Sequence, residues 1–310
     1  MFNLLPGKFF PGQFSRMDIM NTLEQLEQTA KTITTLRPAY REILDFYKEI
    51  FRVQEESLKD IQLAPVIIEA DLLKIKQKNE LPLIDPSEFL IDLAVATRTF
   101  EDICALAAEL APGLSSNARF LKKILSERAF DIESLFSAIM NRHDKALHDI
   151  SMLLDVPANE LFLFGYLSIA PSVRTCAAQL KTYLDGQPEI HKGYCPICGN
   201  SPDLAFLDQE GRQHLHCSFC CHEWKSGRMG CVFCRNNEKD MQHYFFNEEE
   251  KEYQVKLCDH CKRFIKLVDL RQMNREFFPN LEIIATLHLD MQAREKGYTN
   301  EGAGKNEVYH

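Results

Sequence analysis

Four Cys-x-x-Cys pairs constrain this chain more than any other feature. They are Cys195/Cys198, Cys217/Cys220, Cys231/Cys234 and Cys258/Cys261, separated by 18, 10 and 23 residues. A two-residue gap lets both thiolates of one tight turn face the same ion while the turn's amides hydrogen-bond the sulfurs. Two such knuckles complete a tetrahedral four-sulfur cage. The 18- and 23-residue gaps each suit a β-hairpin that folds the second knuckle back onto the first. The first hairpin would run Leu204 to Leu207, turn over Asp208 to Gly211, and return through His214 to His216. The second would run His243 to Phe246, turn over Asn247 to Lys251, and return through Tyr253 to Leu257. The spacing therefore predicts one metal site from Cys195, Cys198, Cys217 and Cys220, and a second from Cys231, Cys234, Cys258 and Cys261. They form two copies of one unit, offset by 36 residues, with residues 221 to 230 as a linker. A crossed pairing, first knuckle with third, is also within reach of these gaps.

Disulfides and a thioredoxin-like dithiol compete with metal for such cysteines. Residues Met1 to Arg16 carry Pro6, Gly7, Pro11 and Gly12, which break up any secretory apolar run, and Met17 is an alternative start. With no export signal read and an odd eleventh cysteine, a disulfide framework fits poorly. No βαβ unit opens a helix at a Cys-x-x-Cys, so the dithiol reading lacks its context. Tetrahedral four-sulfur cages suit both zinc, which is redox-inert, and iron, which can change charge by one electron. Cys221 is the spare thiol. His216, His222 and His260 border ligands but are not needed in cages that four sulfurs complete.

The chain ahead of the knuckles is of another kind. Residues 190 to 310 hold nine of the eleven cysteines, and the remaining two, Cys104 and Cys176, read as core residues. Apolar residues at helical spacing recur from residue 17 to about 184: Tyr40, Ile43, Leu44, Tyr47 and Phe51 would line one face. Asp85-Pro86-Ser87-Glu88 reads as an N-cap with a reciprocal carboxylate, opening a long helix from about Pro86 whose buried set is Leu90, Leu93, Ala94, Phe100 and Ile103. Similar patterns cover Phe120 to Leu125, Ile132 to Leu154 and Leu161 to Leu167. His143 and His148 lack a carboxylate-rich neighbourhood and read as surface or packing residues. The expected organisation is a flexible arm at 1–16, a helical bundle at 17–188 bounded by Gly186-Gln187-Pro188, a first four-cysteine module at 189–228, and a second at 229–310. Residues 281 to 296 read as one amphipathic helix with Leu281, Ile284, Leu287, His288 and Met291 on its apolar face.

Charge and composition exclude several functions. With 36 basic and 45 acidic residues the net charge is −9, and residues 190–310 hold 16 basic against 18 acidic, so neither half offers a duplex-binding face. The longest apolar stretch, Leu161 to Ala170, is about half of what a membrane span requires. Catalytic residues are not indicated: no nucleophile triad, phosphate-binding glycine loop or carboxylate pair stands out, and both cages look closed. Arg228 and Arg235 bracket the third knuckle and would stabilise a cage of net charge −2. Trp224, the only tryptophan, would cover the first site or join the modules.

At this point the residues resemble a known family, the formate dehydrogenase accessory proteins, FdhE. The resemblance lies in Cys195-Pro196-Ile197-Cys198-Gly199, and in Cys217-Ser218-Phe219-Cys220 running into Glu223-Trp224 and Arg228. It continues in Cys258-Asp259-His260-Cys261-Lys262 with Phe264-Ile265-Lys266, in Ala285-Thr286-Leu287-His288-Leu289-Asp290, and in Gly297-Tyr298. It is close from residue 195 to about 298 and loose in the helical half. It implies two rubredoxin-like modules, with iron at Cys195, Cys198, Cys217, Cys220 and at Cys231, Cys234, Cys258, Cys261, following an α-helical domain. It also implies a non-enzymatic maturation factor that contacts, in the cytoplasm, the catalytic subunit of a formate dehydrogenase with a molybdenum or tungsten pterin cofactor. Cys221 and Arg235 stand where the family usually has glycine, and Lys225 where it often has histidine. The alternative is a structural zinc-ribbon module that binds nucleic acid or protein. Glu248, Glu249, Glu250 and Glu252 load the second hairpin with acid and oppose the nucleic-acid form.

Overall fold

The computed structural model describes residue 14, residues 16–185 and residues 193–300. The expected arm at 1–16, apart from residues 14 and 16, the Gly186-Gln187-Pro188 boundary and residues 301–310 of the second module lie outside the described residues.

The N-terminal half is a helical bundle: α1 (Arg16–Leu36), α2 (Arg41–Ser57), α3 (Ala70–Lys78), α4 (Leu93–Leu110), α5 (Ser115–Ser126), α6 (Ile132–Met140), α7 (Asp144–Leu154) and α8 (Ala158–Leu180). Helix α8 lies at its centre, with buried residues on every side, as a helix apolar all round must. With the turn that extends it to Leu184, it is long and apolar enough to cross a membrane. Yet 72% of that apolar window is buried inside the fold, the position of a core helix. Pro171 sits inside α8 and supplies no N–H to the carbonyl of Leu167. The side-chain amide of buried Gln54 on α2 donates to that carbonyl at 2.7 Å instead. Buried Glu55 pairs with Arg174 one turn farther along α8.

The expected helix start at Pro86 is corrected. Asp85 and Glu88 do form the reciprocal cap, but it closes only the single 3₁₀ turn Pro86–Glu88. Helix α4 starts at Leu93, where the Asp92 side chain accepts from the Val95 amide. The Asp92 amide itself donates to Ser172 Oγ, which pins the extended stretch to α8. The later start turns Val95, Ala96, Phe100, Ile103 and Ala107 inward and leaves Leu90, Leu93 and Ala94 exposed. Cys104 and Cys176 are fully buried among apolar side chains, and burial pushes their thiols up to about 12 and about 11.

The C-terminal half holds β1 (Leu204–Leu207), β2 (Gln213–His216), β3 (Glu223–Ser226), β4 (Gln242–Phe245), β5 (Tyr253–Cys258), β6 (Arg263–Asp269), α9 (Pro279–Ala285) and α10 (Leu287–Glu295). Both hairpins stand where the knuckle spacing puts them. The supposed linker, however, contains β3, and a further strand, β6, follows the fourth knuckle. The six strands form one sheet in the order β3-β2-β1-β6-β5-β4. Every pairing is antiparallel except β1 with β6, which run parallel with Leu204 opposite Lys266. Each repeat thus contributes a three-stranded meander, and the first strand of one copy pairs with the third strand of the other.

The predicted single helix over 281–296 is also corrected to two helices broken at Thr286, whose hydroxyl turns back onto the carbonyl of Glu282. The break sends the apolar faces in two directions. Leu281 and Ala285 of α9 join the bundle's core, whereas Leu289 and Ala293 of α10 pack on the β5–β6 face with Phe264 and Val268. Met291, counted in the apolar face, is exposed. Beneath the break, Glu282 is fully buried between Arg275, at an ion-pair distance of 2.5 Å, and the hydroxyl of Tyr253 at 2.6 Å.

Candidate metal centres

Each knuckle is built alike. The amide of the residue after the second cysteine donates to the carbonyl of the first: Gly199 to Cys195, Cys221 to Cys217, Arg235 to Cys231 and Lys262 to Cys258, at 2.8–2.9 Å. Closing the turn requires that residue to be left-handed, with φ of 73°, 56°, 61° and 56° in turn. Glycine meets this freely only in the first knuckle; Cys221, Arg235 and Lys262 adopt it at about 1 kcal/mol each. The knuckle closes without glycine, and the sulfurs still converge.

The structure brings together the sulfurs of the first and second knuckles, and separately those of the third and fourth. Within each group the ligand atoms lie within 4.8 Å of one another. Cys195 and Cys220 Sγ are 3.6 Å apart, Cys198 and Cys217 3.5 Å, Cys231 and Cys261 3.6 Å, and Cys234 and Cys258 3.7 Å. These separations exceed the disulfide bond of about 2.05 Å. They match the edge of about 3.8 Å of a sulfur tetrahedron with metal–sulfur bonds of about 2.3 Å. The sulfurs of the first and third knuckles thus fall in different groups.

Side-chain and backbone donors complete the surroundings. Asn200 Nδ2 donates to Cys198 Sγ at 3.3 Å, Gln242 Nε2 to Cys258 Sγ at 3.4 Å, and the Phe233 amide to Cys231 Sγ at 3.4 Å. In the first group, burial pushes Cys217 and Cys220 far up, while hydrogen bonds from the thiols of Cys195, Cys217 and Cys220 hold Cys198 far down. A divalent ion is what makes four thiolates compatible with so dry a site.

The two groups differ in their setting. All four cysteines of the first are buried, and they belong to the bundle's own core. The bundle grips both of its knuckles: the Leu83 and Ile84 amides donate to the Pro196 and Ile197 carbonyls at 2.9 and 3.0 Å, and Tyr166 Oη donates to the carbonyls of Ser218 and Phe219. Phe89 packs edge-on to Phe219. In the second group Cys234 and Cys261 are half-exposed.

The neighbouring histidines stand outside both groups. His216 is 2% exposed with Nδ1 3.1 Å from Asp203 Oδ1. Burial opposes its charge, but Asp203 and the Cys221 sulfur outweigh burial and raise its pKa to about 10. His222 stacks on Trp224, and burial with nearby Lys181 pushes it down to about 4. His260 is exposed. Trp224 is buried in the shared core, its Nε1 without a hydrogen-bond partner among the described residues. One guanidinium that feels the second group's sulfurs is Arg263, which the sequence reading missed. It lies 3.5 Å over the Phe233 ring and near Cys231, Cys234 and Cys261. Arg228 sits instead near Lys256 and Asp269. Arg263 follows the fourth knuckle by two residues, and only the Cys258–Arg263 pairing of β5 with β6 turns it toward the group.

Comparison with known proteins agrees in sequence and in shape. The chain is 27% identical over 266 residues to the protein FdhE homolog of Aquifex aeolicus, covering 84% of this chain and 87% of that one. It is 23% identical over 310 residues to the homolog of Yersinia enterocolitica, covering 94% and 89%. It is 26% identical over 208 residues to protein FdhE of Escherichia coli, covering 63% and 61%. The crystal structure of the FdhE protein from Pseudomonas aeruginosa superimposes with a TM-score of 0.62 at 22% identity, covering 92% of this chain and 94% of that one. No family model matches the chain. Across both halves, in sequence and in fold, the chain is FdhE-like.

Proposed function

We propose that this protein is an accessory factor for the maturation of formate dehydrogenase, acting in the cytoplasm by binding the catalytic subunit, and that it is not itself an enzyme. The observation that carries the reading is the coincidence of two four-sulfur tetrahedra with similarity to FdhE proteins over most of the chain. In this reading the helical domain at 17–188 carries two modules, 189–228 and 229–310. Cys195, Cys198, Cys217 and Cys220 hold one ion; Cys231, Cys234, Cys258 and Cys261 hold the other. Iron is the metal proposed, with zinc as the substitute the same donor set accepts. When bound, an iron ion supplies one-electron chemistry; the chain's own residues position the sulfurs, exclude water from the first cage and donate hydrogen bonds to Cys198 and Cys258.

Four protein sulfurs per ion leave no coordination position for a substrate, which supports a binding role over a catalytic one. The test pairs two measurements: co-purification of the metal-loaded chain with the catalytic subunit, and formate dehydrogenase activity in cells lacking this protein. Binding together with lost activity supports the reading. No binding with undiminished activity ends it.

A further inference from the structure

Among the described residues strand β4 ends the sheet, and one of its edges carries no partner strand. Proteins protect such edges with charge, proline or a bulge, because unpaired N–H and C=O groups recruit other strands. The opposite terminal strand, β3, follows this rule: exposed Glu223 and Lys225 flank buried Trp224. On β4 and just past it the exposed residues include His243, held by Asp259, and two large aromatic side chains. Tyr244 is 67% and Phe246 49% exposed, with their rings stacked at 6.2 Å, and Met241, just before the strand, is exposed as well.

Acid borders this aromatic strip at both ends. Glu238 and Asp240 precede the strand and Glu248 and Glu249 follow it, all exposed and without ion-pair partners among the described residues. Lys239 and Lys251 lie among them, Lys256 stands opposite Tyr244 on β5, and Lys296 lies over the Phe245 ring. A shallow hollow of about 480 Å³, lined by Phe246, Glu248, Lys251 and Gln254, lies at the strand's end. The strip is continuous with the second cysteine group, since Gln242 of β4 donates to Cys258 Sγ and the Asp259 amide donates to the Met241 carbonyl.

We propose that the β4 edge docks a basic, extended segment of the partner polypeptide, adding a strand beside the second metal centre. Main-chain hydrogen bonds along the open edge select an extended conformation. The acidic ends and exposed rings select Lys and Arg, whose cations are attracted both to carboxylates and to aromatic faces. The proposal rests on the accessory reading, with the catalytic subunit as the partner.

The experiment measures binding of the purified catalytic subunit to the full-length, metal-loaded chain and to two variants, Tyr244→Ser/Phe246→Ser and Glu248→Lys/Glu249→Lys. Metal content and circular dichroism establish that each variant is folded. Each variant is expected to weaken binding at least about tenfold, and the charge reversal to flatten the salt dependence. In the wild-type complex, hydrogen exchange at amides 242–245 is expected to slow. Undiminished binding by both variants, with unprotected β4 amides, overturns the docking edge while leaving the accessory reading intact. Failure of the wild-type chain to bind the subunit at all defeats the accessory reading and the docking edge together. A concentration-dependent dimer that Tyr244→Ser/Phe246→Ser abolishes assigns the edge to a second copy and overturns the proposal.

Discussion

Gln54 donates its side-chain amide to the carbonyl of Leu167, the acceptor that Pro171 leaves unbonded inside α8. The two helices are thereby joined through a backbone defect that an apolar core would otherwise leave unsatisfied. Replacing Gln54 by Leu removes the donor and strands a buried carbonyl, which costs about 1–3 kcal/mol. Adding Pro171→Ala to that variant restores an N–H four residues from Leu167 and is expected to recover part of the loss. A double-mutant cycle by urea denaturation measures the coupling, and additive effects would contradict it.

The knuckle turns predict a gain from glycine. Arg235 holds φ of 61°, and Arg235→Gly is expected to stabilise by about 0.5–1 kcal/mol, with metal content unchanged. Cys221→Gly at φ of 56° is expected to keep full metal loading, because Cys221 lies in neither sulfur group. Metal analysis and thermal melting check both, and loss of an equivalent in Cys221→Gly would make that thiol a ligand.

The two groups are expected to differ in reactivity. Bundle hydrogen bonds hold both knuckles of the first, and its four cysteines are buried, whereas Cys234 and Cys261 reach the surface. In the metal-loaded protein, maleimide followed by peptide mass mapping should label the second group at least about tenfold faster than the first. Equal rates would contradict the asymmetry.

Alkaline pH tests the buried thiols of the bundle. Burial raises the Cys104 thiol from 9.0 to about 12, so between those values the unfolded chain loses a proton that the folded chain keeps. The raised pKa therefore contributes stability that is complete below pH 9 and is lost as pH rises through the folded value. At pH 11 the loss amounts to roughly 3 kcal/mol. Urea midpoints of wild type and Cys104→Val between pH 8 and 11 should converge as the pH rises, and parallel curves would contradict the account.

Much of the site was legible in the sequence because knuckles and hairpins are local. A two-residue gap fixes a turn, and the 18- and 23-residue gaps hold hairpins whose apolar runs mark their strands. What joins the repeats was not legible. Strand β3 is four residues, Glu-Trp-Lys-Ser, with a single buried side chain, and only its pairing with β2 makes it a strand. The parallel pairing of β1 with β6 connects residues some sixty apart, and no local pattern encodes it. In the bundle, two acceptable N-caps lie seven residues apart. Packing against α8 selects Asp92 over Asp85, which neither motif reveals by itself. Arg263 was missed for the same reason, since its approach to the sulfurs depends on β-pairing across the fourth knuckle.

Metal stoichiometry tests the central claim most directly. Full-length protein purified without oxygen and analysed by elemental mass spectrometry should carry two equivalents of iron or zinc per chain. Cys231→Ser/Cys234→Ser should reduce this to one, held by Cys195, Cys198, Cys217 and Cys220. A chain that holds no stoichiometric transition metal, or one that keeps both equivalents in that variant, contradicts the assignment of the eight sulfurs to two ions.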